Sequence, residues 1–171
     1  KSNHDEAFDR WLREADPKGD PENSKFYYYM KYNQLASVRM SPTGFTSFDP
    51  FAWWCANPDE QPGLASVDRT KFLSRDESME LADIESGFHG DDGTNGTRGS
   101  LMAFSKIGPK VIIGHSHSPG IKGGAYQVGL SAMLNLEYQS GPSSWMHTHC
   151  IIYPDGARTL VHIIDGEYTT L

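Results

Sequence analysis

Beyond Gly120 the sequence offers no helical stripe, and that change of texture limits the fold more than any other feature. The runs AYQVGLS, LNLEYQ, SWMHTHCIIY and RTLVHIID are short, rich in β-branched and aromatic residues, and separated by turn signals at GPSS and PDG. The carboxyl third is therefore expected to be mostly sheet. KVIIG, residues 110–114, adds a short buried strand just ahead of it. The amino-terminal side reads differently. EAFDRWLREA, residues 6–15, places Phe8, Trp11, Leu12 and Ala15 on one helical stripe, with Asp5 able to cap its start. Residues 20–40 open on Asp20, Pro21 and Glu22 and predict a second helix with Phe26, Met30 and Tyr29 turned inward. Residues 66–74 allow a further short helix. MELADIES reads as a strand running into Phe88 and His89, and GTRGSLMAFSKIG as a helix closed by Gly108. The expected class is α/β, with an α+β-like segregation of helices from strands.

At 171 residues the chain is about one domain long and carries enough apolar content for a core without disulfides. Its two cysteines, Cys55 and Cys150, match no metal-type or disulfide-framework spacing, and no long apolar run or charged-then-apolar leader is present. The expectation is a reduced, intracellular protein with no membrane partner. A formal charge of −7 argues against a broad electrostatic grip on nucleic acid. Any phosphate must then be met by metal or by a few local donors.

Between residues 41 and 65 proline and glycine surround FDPFAWWCAN, an aromatic cluster that reads as a packed insertion before it reads as a binding box. Trp53 and Trp54 could stack on bases, but tryptophans in a short insertion more often belong to a core or an interface. Tyr27, Tyr28 and Tyr29 cannot all be buried on one helix. At least one is expected to face solvent or a partner subunit, which admits a homo-oligomer. His147 and His149 share one face of a strand, an arrangement that permits a metal but more often means a solvated or packed pair.

Three clusters carry the chemistry: Asn3-His4-Asp5, FHGDDG around His89, and Gly114-His115-Ser116-His117. Each sits at a strand end or before a helix, where loops gather side chains from distant sequence. Imidazole nitrogen with amide or carboxylate oxygen suits manganese, iron, zinc or nickel. Taken singly, each cluster has a bland reading as satisfied polar groups. Asp91 and Asp92 read either as partners of a ligand histidine or as loop acids.

Taken in order, N-H-D, then H-G after a strand, then G-H-S-H resembles the later motifs of the calcineurin-like metallophosphoesterase superfamily. The resemblance implies a two-sheet sandwich flanked by helices, and two metal ions that activate a water against phosphorus. Manganese is the first choice, with magnesium, iron, zinc or nickel as alternatives. It further implies that Asn3, His89 and His115 bind one metal and His117 the other, that His4 protonates the leaving oxygen, and that Asp5 orients His4. The logic is physical: two close cations clamp an in-line displacement and leave an alkoxide that needs a proton.

The family's Asp-x-His and bridging Gly-Asp motifs normally precede N-H-D, which here occupies residues 3–5. Residues 1–171 are thus expected to be the carboxyl-terminal part of one catalytic domain, with an upstream segment of the same protein or a separate chain completing it. Within the superfamily, HGDDGTNGTRGS, VIIGHSHSPGI, YQVG, LEYQSGPSSWMHTH, YPDG and RTLV resemble phage-encoded phosphoesterases, a host-DNA-degrading nuclease among them. That likeness implies a DNase acting in the host cytoplasm on DNA or another phosphodiester, with a small-molecule phosphatase or a non-catalytic interaction module as alternatives. GTNGTRGS is rich in backbone donors, and Arg98 could grip a non-bridging phosphate oxygen; equally, Gly93, Gly96 and Gly99 could simply shape a tight loop.

Overall fold

The computed structural model describes residues 1–39, 48–57, 70–135 and 140–170. The chain divides into two compact units, Lys1–Phe72 and Leu73–Leu171.

The first unit holds three helices: α1 (Asn3–Glu14), α2 (Ser24–Arg39) and α3 (Pro50–Ala56). Ser2, rather than Asp5, is the N-cap of α1. Its hydroxyl accepts from the Asp5 amide, and the Asp5 carboxylate accepts in return from the Ser2 amide at 2.7 Å, a complete capping box. Asp49 caps α3 through the Ala52 amide, with Pro50 in its first turn, where the missing N–H costs nothing. Leu12 and Met30 are fully buried. Around them lies a cluster of rings in which Phe26 meets Phe8, Trp11 and Trp54 at centroid separations of 5.7, 5.9 and 4.9 Å. Trp53 packs on Tyr29 and Phe48. Both tryptophans therefore belong to the packing of this unit. Tyr28 is 57% exposed, as the crowding of three successive rings required. Most of the expected 66–74 helix lies outside the described residues, and 70–74 form no helix.

The second unit is built on a five-stranded sheet in the order β1 (Glu80–Leu81), β2 (Ile84–Glu85), β3 (Lys110–Ile113), β5 (Ala125–Gln127) and β4 (Gly120–Lys122). β2, β3 and β5 run parallel, while β1 and β4 add antiparallel edges. MELADIES is thus not one strand. It turns back on itself at Ala82 and Asp83, both with positive φ (49° and 60°), as a two-residue hairpin requires. GTRGSLMAFSKIG also differs: only α4 (Leu101–Phe104) is helical, capped by Ser100, because the preceding residues close a glycine loop instead. Phe104, Val111, Ile113 and Ala125 form the core, with Phe88, Leu101 and Ile107 against it.

A second, antiparallel sheet contains β6 (His147–Ile152), β7 (Arg158–Ile164) and β8 (Glu167–Thr170), in that order. The strands expected in SWMHTHCIIY and RTLVHIID are present. LNLEYQ falls largely outside the described residues, and Leu134 and Asn135 form no strand. The two sheets are joined by Arg158, whose guanidinium donates to the Val111 and Gly124 carbonyls at 3.0 and 2.9 Å and covers the Tyr126 ring at 4.0 Å. The α/β expectation, with a β-rich carboxyl third and two sheets, describes the molecule.

Candidate metal centre

β2, β3 and β5 end at the same edge of the parallel sheet, and the candidate residues hang from those ends. Four residues beyond β2 comes His89; two residues beyond β3 comes His115. The His89 carbonyl accepts from the Gly114 amide at 2.9 Å, so the two loops are sewn together beside their histidines. Gln127, buried at the end of β5, donates its side-chain amide to Ser116 Oγ and the Ser118 carbonyl and so pins the Gly114–Ser118 loop from the third strand. His115 and His117 both have left-handed backbones, φ 64° and 62°. Non-glycine residues enter that region at a cost and persist there when the surroundings over-determine them, as happens at ligand-holding sites.

The two loops bring His115 Nδ1 to 3.3 Å from His89 Nε2, with the rings edge to face. Asp91 completes a group of three whose ligand atoms all lie within 4.8 Å of one another. Imidazole nitrogens bind transition metals at about 2.0–2.1 Å, so two nitrogens this close can reach one ion. Burial, the largest influence, raises the Asp91 carboxyl, but hydrogen bonds, that from Arg75 foremost, and the Arg75 charge together outweigh it and hold the group below the usual carboxylate range. Its Oδ1 is buried and accepts no hydrogen bond among the described residues. A buried carboxylate oxygen without a donor is costly, and a cation is a partner that would satisfy it. The donor set of two imidazoles and one carboxylate fits a divalent first-row metal.

His117 stands outside this group, its ring edge to face with Trp145 at 4.6 Å. Arg98 is exposed in the loop that follows, where Asp92 and Arg98 form an isolated antiparallel bridge. The four residues of α4 give it little helix dipole to work with. The glycines of that loop shape it: a Cβ on Gly93 would come within 2.8 Å of the Arg98 carbonyl oxygen, and Gly96 has φ 73°. His147 Nε2 lies 2.7 Å from the Ala132 carbonyl oxygen, and His149 is exposed.

In the first unit, Asn3, His4 and Asp5 form the opening turn of α1. His4 is exposed, while the Asp5 carboxylate is engaged by Ser2.

The chain is similar to a phage protein. Protein A1 of Escherichia phage T5 is 36% identical over 170 residues, covering 98% of this chain. The chain spans only 29% of that relative's length. No protein-family model matches, and no solved structure does. No helix among the described residues is long and apolar enough to cross a membrane.

Sequence reasoning singled out His89 and His115 from their motifs but left Asp91 between two readings. The residue it missed was Arg75. Nothing local marks that arginine, because its meaning depends on contact with Asp91 sixteen positions away.

Proposed function

We propose that this chain contributes a divalent-metal centre to a phosphoester hydrolase whose favoured substrate is a nucleic-acid phosphodiester, DNA first. The observation that carries the reading is the approach of His115 Nδ1 and His89 Nε2 beside the Asp91 carboxylate, whose Oδ1 is buried without a hydrogen bond among the described residues. The order of the motifs and their resemblance to phage-encoded phosphoesterases support the choice of nuclease over other hydrolases, and the relative is itself a phage protein.

A pair of divalent ions, manganese first, would supply the charge that stabilises phosphate oxygens and acidifies bound water. In this chain His89, Asp91 and His115 would hold one ion, and His117 is assigned to the second. Gln127 keeps the loop of His115 in register, and Arg98 is assigned, from the motif resemblance, to a non-bridging phosphate oxygen. Asn3 as a further ligand, His4 as the acid for the leaving oxygen and Asp5 as its partner rest on the motif resemblance alone.

The test begins with Mn²⁺ binding to the 171-residue chain, read from the loss of the free-ion EPR signal, for the parent and His115→Ala. Loss of binding in the variant supports the centre; parental affinity in the variant sinks it. Cleavage of duplex DNA and of bis(p-nitrophenyl) phosphate by the full-length protein that contains this chain then supports a phosphodiesterase. Turnover of p-nitrophenyl phosphate alone favours the small-molecule phosphatase. His4→Ala should abolish turnover while Mn²⁺ binding stays, and unchanged turnover removes His4 from its role.

A further inference from the structure

Arg75 sits in a tight turn of the second unit, closed by the Glu77 amide donating to the Ser74 carbonyl at 3.2 Å and by the Ser74 amide donating to Glu77 Oε2 at 2.9 Å. That turn is locked onto the segment leading to His89. A Cβ on Gly87 would stand 2.1 Å from the Glu77 carbonyl oxygen, so only glycine admits the turn here. The buried Glu85 carboxylate accepts from the Ser78 hydroxyl, from the Met79 amide at 3.1 Å and from the Gly87 amide at 2.7 Å, fastening the turn and the end of β2 to one anchor. The Arg75 guanidinium then reaches three carboxylates. One terminal nitrogen donates to Asp91 Oδ2 and, at 3.3 Å, to Asp92 Oδ2, while Nε donates to Asp76 Oδ2 at 3.3 Å. Arg75 and Asp91 are both largely buried, with side chains 18% and 17% exposed; Asp92 is 70% exposed.

We infer that Arg75 is the positioning residue of the metal centre, an inference that rests on the reading of His89, Asp91 and His115 as ligands. One carboxylate oxygen of Asp91 is committed to the arginine, and the other, Oδ1, is left buried and without a hydrogen-bond donor among the described residues. A carboxylate held by one oxygen cannot rotate freely, so its second oxygen is presented in a fixed direction before any ion arrives. Groups that orient a ligand in this way typically govern metal affinity by a factor of about 10–100 when they are removed. Asp76 and Asp92 share the guanidinium and hold it in place, and their two negative charges offset the repulsion that a lone arginine would exert on a cation.

The sign of the effect separates positioning from simple charge. Deleting a cation beside a metal site should tighten binding if electrostatic repulsion were all that Arg75 supplied. If Arg75 orients Asp91, deleting it weakens binding, and lysine, which keeps the charge but not the planar fork, restores only part. The experiment is Mn²⁺ titration of the 171-residue chain followed by EPR, for the parent, Arg75→Ala and Arg75→Lys, with thermal melting of each. The expected result is about a 10–100-fold weaker Kd in Arg75→Ala and a smaller loss in Arg75→Lys. Should Arg75→Ala fail to fold, the lysine variant alone carries the test in the same direction. Parental or tighter affinity in a folded variant overturns the positioning role while leaving the metal centre standing. A parent chain that binds no Mn²⁺ overturns both.

Discussion

Gly99 lies so close to Gly90 that a β-carbon on it would stand 1.9 Å from the Gly90 carbonyl oxygen and 2.8 Å from the carbonyl carbon of Asp91. The Gly99 amide also donates to the Asp91 carbonyl at 2.6 Å. The glycine loop is thereby closed on Asp91, a member of the candidate metal group, and the closure requires the absence of a side chain.

Gly99→Ala should therefore destabilise the second unit by about 1–3 kcal/mol, the range of overpacking, and weaken Mn²⁺ binding as Asp91 is displaced. Gly96→Ala is the control. Its Cβ would meet nothing within 4 Å, so it should cost only the strain of a left-handed alanine, about 1 kcal/mol, and leave Mn²⁺ affinity unchanged. Urea unfolding with a parallel Mn²⁺ titration reads both effects, and equal affinities for parent and Gly99→Ala would refute the coupling.

Glu85 gives a pH prediction. Burial raises its carboxyl, but hydrogen bonds from Ser78, Gly87, Met79 and Ser86 outweigh burial and lower it. A carboxyl depressed in the folded state contributes stability that is present above its unfolded pKa of about 4.3 and is lost as pH falls through the folded value. Glu85→Gln should cost about 1–3 kcal/mol at pH 7, with the gap to the parent closing below about pH 4. Urea midpoints between pH 3 and pH 7 measure it; a gap that stays constant across that range would contradict the assignment.

Asp5 and His4 should separate in a stability measurement. Asp5→Ala breaks the capping box with Ser2 and should destabilise the first unit by about 0.5–2 kcal/mol. His4→Ala, at an exposed position of the same turn, should stay within about ±0.5 kcal/mol. Thermal melting of both variants is sufficient, and comparable losses would mean that His4 has a structural partner.

How far the sequence reaches depends on whether the deciding interaction is local. The α1 stripe, the KVII strand and the alternating runs that became β6 and β7 were legible because helix and strand periodicity is written in neighbouring residues. The two histidine motifs were legible as side chains gathered at strand ends, and His89 and His115 do follow β2 and β3. The β1–β2 hairpin was not, because its turn uses Ala82 and Asp83 in left-handed backbone with no glycine to announce it. The helix expected from Gly96 to Gly108 shrank to four residues, since closure of the loop between Asp91 and Gly99 overrode local propensity. The meeting of His89, Asp91 and His115 was decided only by tertiary structure. Parallel pairing of β2 with β3 sets His89 and His115 on adjoining loops, and the turn anchored by Glu85 brings Arg75 to Asp91. Those partners lie 26 and 16 positions apart, and chain pairing rather than residue type puts them within reach.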